Sequence, residues 1–155
     1  MPDTVSVIDW IALQRTILYQ VAMKEVQTIQ HTLSIKGQSR QTNKGYSLVA
    51  EELRVRVRNR TTYITIEWLV RRWFKRDGRP RFTTVALRKG RGYRYSEATL
   101  ARHTRAVDLL VVLETEGRFA DIRKRLRALK ELEKLLEKTG YTALRQEKGE
   151  DFEGF

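Results

Sequence analysis

Between residues 4 and 34 apolar side chains return every three, four or seven positions, at Val7, Ile11, Leu18, Ala22, Val26, Ile29 and Leu33. That is the period of one helix face. A helix is therefore predicted over 4–34, with Trp10, Leu13, Ile17 and Val21 widening the stripe and Asp3 or Thr4 capping its start. KGQSRQTNKG, residues 36–45, is polar and rich in turn formers and reads as a linker. The period then drops to two. In EELRVRVRNR, Leu53, Val55 and Val57 alternate with Arg54, Arg56 and Arg58, as in a strand with one apolar and one basic face. After a short turn at Asn59–Thr61, TYITIEWLVRRWF sets Ile64, Ile66, Trp68 and Val70 on one side. Asp77-Gly78 is a strong hairpin signal, and RFTTVALR, residues 81–88, reads as a third strand. Residues 46–90 thus form an antiparallel meander with one apolar and one basic face.

Ser96 and Glu97 suit the start of a second helical region. His103, Ala106, Leu110, Leu113 and Gly117 recur at steps of three and four, and beyond Gly117 the stripe changes phase to Phe119, Ile122, Leu126, Leu129 and Leu136. Two readings stay open over 97–138: a helix broken at Gly117 and resumed from about 118, or one helix with a stutter. Asp121 with Arg125 and Glu131 with Lys134 are spaced to pair along it. The tail, residues 141–155, is acidic and expected to be disordered. The fold class that follows is α+β: an N-terminal amphipathic helix, a three-stranded antiparallel β-meander, then one or two C-terminal helices packed on the apolar face of the sheet. All of this is expected within a single domain over residues 1–140.

Charge sharpens this picture. The 155 residues carry a net charge of +12. Residues 1–53 balance to zero, as do residues 95–155, so the segment 54–94 holds the whole excess. Its basic groups are Arg54, Arg56, Arg58, Arg60, Arg71, Arg72, Lys75, Arg76, Arg79, Arg81, Arg88, Lys89, Arg91 and Arg94, against Glu67 and Asp77 alone. A cationic field this concentrated is the footprint of a polyanion-binding surface. Arginine, which dominates the set, grips phosphate and guanine edges in two-point contacts. Side chains two apart on a strand sit about 6.6–6.8 Å from each other, close to the spacing of successive phosphates, so Arg54, Arg56, Arg58 and Arg60 suit a row along a nucleic-acid backbone. The exit loop RKGRGYRY adds Tyr93 and Tyr95, which suit either stacking on bases or packing at the sheet-to-helix junction. Arg91 and Arg94 are the expected base readers, because a loop enters a groove where a strand face cannot. By phase Trp68 belongs to the core, and Trp73, in phase with Arg71, is the better stacking platform.

Catalysis finds little support. His31 and His103 fall far apart on predicted helices, where a histidine is usually a satisfied core residue. No histidine–hydrophobe–histidine metal motif, Asp/Glu-x-Lys triad or phosphate-binding glycine loop occurs. The chain has no cysteine, which excludes disulfides and cysteine zinc sites. No metal or cofactor is expected. No apolar run approaches the roughly 18 residues of a membrane span, and the N-terminus lacks a basic lead-in, so a cytoplasmic protein is expected.

The run LRKGRGYRYSEATLARHTRAVDLLVVLETEGRFADIR, Leu87–Arg123, resembles the C-terminal part of the MobI-like conjugative transfer proteins, through its Lys-Gly-x-Gly-Tyr-x-Tyr-Ser loop and a helix ending in Glu-x-Arg-Phe. The resemblance implies an auxiliary protein that recognises the origin of transfer of a conjugative element and assists its relaxase. Double-stranded DNA and the relaxase are then the expected partners, and a homodimer would match a palindromic site. The residues leave two alternatives open. One is a double-stranded-RNA-binding module, which shares the order helix, three strands, helix. The other is an oligomeric assembly protein whose positive segment meets an acidic partner.

Overall fold

The structure, a computed structural model, describes residues 4–36, 48–60 and 63–139. The Asp3 cap, the linker beyond Lys36, the last residue of the first turn and the acidic tail lie outside the described residues. The elements run α1 (Thr4–Lys36), β1 (Leu48–Arg60), β2 (Tyr63–Arg76), β3 (Arg79–Ala86), α2 (Glu97–His103) and α3 (Ala106–Lys138). The strands form one antiparallel sheet in the order β1-β2-β3.

The two-residue period of β1 and β2 sorts the sheet's faces as the sequence suggests. Leu53 lies opposite Val70, Val55 opposite Trp68 and Val57 opposite Ile66. This face meets the helices: α1 packs on β1 and along α3, α2 on β1, and α3 on β2. Ile11, Leu18, Ala22, Val26 and Ile29 of α1 enter the core, as the helical stripe predicts. Trp68 is fully buried, its indole edge-on to Phe119 with ring centroids 5.8 Å apart. Trp10, Leu13, Ile17 and Val21 do not widen the packed stripe. They form a second, exposed stripe on the outer side of α1.

The third strand begins and ends two residues earlier than expected, so Arg88 belongs to the exit loop. It is exposed along its whole length. The helices cover β1 and β2, and the β2–β3 hairpin extends past them. The Asp77-Gly78 turn that closes it has both residues at positive φ, 54° and 74°, as the tightest hairpin turns require.

The helical break falls at Thr104, not at Gly117. α2 starts on Ser96, whose Oγ accepts from the Thr99 N–H at 3.2 Å. It stops at Thr104, whose hydroxyl donates to the Leu100 carbonyl at 2.6 Å and whose backbone N–H donates to the Ala101 carbonyl at 3.4 Å. Thr104 and Arg105 are extended, and α3 then runs through Gly117 without interruption. The phase change disappears once polar residues are counted. The buried positions are Asp108, Val112, Thr115, Glu116, Phe119, Ala120, Ile122 and Leu129, one continuous stripe. The stripe expected at Ala106 and Leu110 faces outward, with Leu110 68% exposed. His103, expected in the core, reaches across to β1, its Nδ1 2.5 Å from Glu51 Oε1. Asp121 pairs with Arg125 as expected, whereas Glu131 pairs with Arg127 rather than Lys134.

Candidate nucleic-acid interface

The strand period divides the basic residues of the hairpin between two faces. Positions opposite each other on paired strands share a face. The face continuing from Trp68 and Val70 carries Arg72 and Arg76 on β2, opposite Thr83 and Arg79, and Arg81 on β3 opposite Phe74. All four arginines are exposed. Arg76 and Arg79 stand directly opposite each other, an arrangement that like charges disfavour. Among the described residues no carboxylate pairs with any of the four. Glu51, opposite Arg72, is turned to His103.

The other face of the hairpin is aromatic. Trp73 and Phe82 are cross-strand partners with centroids 4.8 Å apart, and the Arg71 guanidinium lies 4.7 Å over the Phe82 ring. Arg71, Trp73 and Lys75 share this side, so the phase expected for Trp73 holds. Phe82 was not singled out in the sequence. Its place opposite Trp73 follows from the two-residue turn, which sets the register.

The row along β1 differs from the expectation of a free cationic strip. Arg56 Nη2 lies 2.8 Å from Glu67 Oε2, its cross-strand neighbour, and Arg58 Nε lies 3.9 Å from the same oxygen. Arg54 pairs with Glu52 at 3.3 Å. Arg60 rests over the Tyr63 ring at 6.0 Å. Two carboxylates, Glu52 and Glu67, thus engage three of the four arginines of this row, whereas among the described residues none pairs with the hairpin arginines or with Arg88, Lys89, Arg91 and Arg94 of the exit loop.

That loop is held by a buried ion pair that hydrophobic periodicity could not find. Glu116 of α3 is 1% exposed. Its Oε2 accepts from the Trp68 indole N–H at 2.5 Å and its Oε1 from the Tyr95 N–H at 2.9 Å. Arg123, two helical turns on, donates to Glu116 Oε1 at 2.6 Å, to the Ile66 carbonyl at 3.1 Å and to the Tyr93 carbonyl at 2.7 Å. The pair therefore ties α3, β2 and the loop at one point. Glu and Arg seven apart lie on one helix face, which is the signal that was available. Tyr95 is correspondingly not a surface ring. It is 4% exposed, beneath the Arg123 guanidinium at 5.1 Å. Its hydroxyl is the acceptor for the Trp68 N–H at 3.4 Å. Burial holds the Tyr95 phenol above its ordinary value of 10.0, against the lowering effects of that hydrogen bond and of Arg123. Tyr93 is exposed. Arg94 crosses α3 at Gly117, where a Cβ would stand 3.4 Å from its Nη2, an ordinary contact with the end of a flexible side chain. Arg91 is exposed. Beside the loop, a groove of about 400 Å3 opens between the start of β2, Gly92–Tyr93 and α3.

A family model described as MobI protein matches residues 18–137, from the middle of α1 to the last turn of α3. The chain belongs to the MobI family. The match takes in the hairpin, the exit loop and the Glu116–Arg123 anchor, and it extends the resemblance carried by Leu87–Arg123 to most of the chain. Membership makes this a protein of conjugative mobilisation. No curated protein and no solved structure matches the chain. Among the described residues no helix is long and apolar enough to cross a membrane.

Proposed function

We propose that this MobI-family protein is a non-catalytic accessory factor that binds duplex DNA at an origin of transfer and assists the relaxase there. The observation that carries the reading is the exposed face of Arg72, Arg76, Arg79 and Arg81, four guanidiniums with no carboxylate partner among the described residues. Like charges set opposite each other cost stability in the free protein, and a polyanion removes that cost. A two-stranded ribbon fits the major groove of B-DNA, about 12 Å wide, and arginine reads guanine there. The deep, narrow major groove of duplex RNA does not admit it, which favours DNA over RNA. β3, eight residues long, separates the hairpin tip from the loop cations by about 26 Å, the rise of roughly eight base pairs. On this reading the ribbon enters a groove while Arg88, Arg91 and Arg94 of the exit loop hold phosphates further along.

A homodimer is part of the proposal. Two copies of a chain at +12 repel, so they meet best on a surface with little charge. The outer stripe of α1, with Trp10, Leu13, Ile17 and Val21, is flanked along its length by Gln14, Thr16 and Gln20, with one charge of each sign, Asp9 and Lys24, at its two ends. A second copy of α1 is the occupant proposed for it.

The test is a mobility-shift titration of the purified protein with matched DNA duplex, RNA duplex and single strand at two salt concentrations. Tight, salt-sensitive binding to DNA duplex is expected. A preference for RNA duplex overturns the reading, and weak binding without salt dependence points to an acidic protein partner instead.

A further inference from the structure

The groove beside the exit loop has a chemistry that duplex DNA does not call for. Its volume of about 400 Å3 falls in the roughly 300–1,000 Å3 range of small-ligand sites. Tyr63 and Tyr93 line it from two sides, each 43% exposed, so both phenol rings present surface. Lys89, Arg127, Lys130 and Arg15 also line it, and among the described residues no carboxylate does. Arg15 is paired with Glu133, and Arg127 with Glu131 at 3.0 Å. Lys130 has no ion-pair partner among the described residues, and Lys89 is engaged only with the Gly92 carbonyl. Arg60 adds a further cation, 6.0 Å over the Tyr63 ring.

The walls are fixed in advance. Arg123 holds the Tyr93 carbonyl at 2.7 Å and is itself clamped by Glu116. Gly92, at φ 89°, turns the chain in a way that few other residues allow. A site built this way loses little freedom on binding. In a duplex the base faces are covered by their neighbours, so ring walls find nothing to stack on. An unpaired nucleotide offers both an open π-face and a phosphate, the two groups this groove matches.

We infer that the groove takes one unpaired nucleotide of a single-stranded segment, its base against Tyr63 and Tyr93 and its phosphate on Lys89 and Lys130. The inference rests on the reading of this protein as one that binds nucleic acid, but it uses residues separate from the hairpin. It gives the protein a hold on DNA that has been locally opened.

Fluorescence anisotropy with a labelled thymidine oligonucleotide and a labelled duplex tests it. Tyr63→Ala with Tyr93→Ala is expected to weaken single-strand binding about 5- to 150-fold, the usual worth of a stacked base, and to leave duplex binding within about twofold. The Tyr→Phe pair keeps the rings and single-strand affinity. Arg79→Ala with Arg81→Ala does the reverse, losing duplex and keeping single strand. Circular dichroism checks that the variants fold, and Lys130→Glu probes the same groove without touching either ring. It should lower single-strand affinity alone. Equal losses on both polymers, unchanged single-strand affinity in the Tyr→Ala pair, or no single-strand binding by the wild type overturns the inference. Single-strand binding without duplex binding instead overturns the proposed function and leaves this site standing.

Discussion

Glu116→Leu removes the carboxylate at the junction of sheet, loop and α3. Arg123, only 10% exposed in its side chain, then keeps its charge in a buried place without a counter-ion. Breaking a buried pair from one side costs about 3–5 kcal/mol. The Trp68 indole N–H and the Tyr95 N–H lose their acceptor as well, and each orphaned buried donor costs about 1–3 kcal/mol. These costs overlap, because one carboxylate serves all three donors, and a net loss of about 4–6 kcal/mol is expected. Domains of this kind have about 5–15 kcal/mol in total, so the variant stands at the edge of unfolding. Urea titration followed by tryptophan fluorescence measures it directly. With a slope of about 2 kcal/mol per molar urea, the midpoint falls by about 2–3 M. Glu116→Gln keeps the shape and one acceptor but turns an amide N–H toward Arg123, and is expected between the two. Arg123→Leu completes a double-mutant cycle with Glu116→Leu. The double substitution should cost less than the sum of the singles. A loss below about 1 kcal/mol for Glu116→Leu, or simple additivity in the cycle, refutes the reasoning.

Two other substitutions test the same region. Gly117→Ala should stabilise the protein by about 0.5–1 kcal/mol, because Gly117 is inside α3 and a Cβ there makes only ordinary contact with Arg94 at 3.4 Å; destabilisation in a urea titration would contradict the unbroken helix. Tyr95 gives a pH signature. Its folded-state value is raised above the ordinary 10.0, so the buried neutral phenol contributes stability that is present below about pH 10 and lost as pH rises through the folded value. The free-energy difference between the wild type and Tyr95→Phe should therefore be flat at neutral pH and shift against the wild type in strong alkali, and a difference independent of pH would contradict the burial of that ring.

Much of the sheet could be read from the sequence because its signals are local. The alternation of Leu53, Val55 and Val57 with arginine, and the Asp77-Gly78 turn, each need only a few neighbouring residues. The α1 stripe is equally plain, although the periodicity did not show that Trp10, Leu13, Ile17 and Val21 lie outside the packed arc. The helical half was harder for a physical reason. The buried stripe of α3 passes through Asp108, Thr115 and Glu116, so counting apolar residues placed the first half of the stripe on Ala106 and Leu110 and invented a phase change at Gly117. Two of the groups that Glu116 accepts from, on Trp68 and Tyr95, lie far along the chain, where no spacing rule reaches. The cationic surface was legible in amount but not in arrangement. Which arginines stay uncompensated depends on the β1–β2 register, which sets Glu67 opposite Arg56, and on strand parity, which puts Arg72, Arg76, Arg79 and Arg81 together.

The central claim is that the hairpin arginines, rather than the β1 row, engage duplex DNA. The most direct measurement is the salt dependence of duplex binding for the wild type, for Arg79→Ala with Arg81→Ala, and for Arg56→Ala. With six to eight phosphates engaged, the wild-type slope of log K against log salt should be about −5 to −7. The hairpin pair should flatten that slope by about two, whereas Arg56→Ala, which removes a side chain already paired with Glu67, should leave it nearly unchanged. Equal slopes for the wild type and the hairpin pair, or a larger change from Arg56→Ala, would contradict the account.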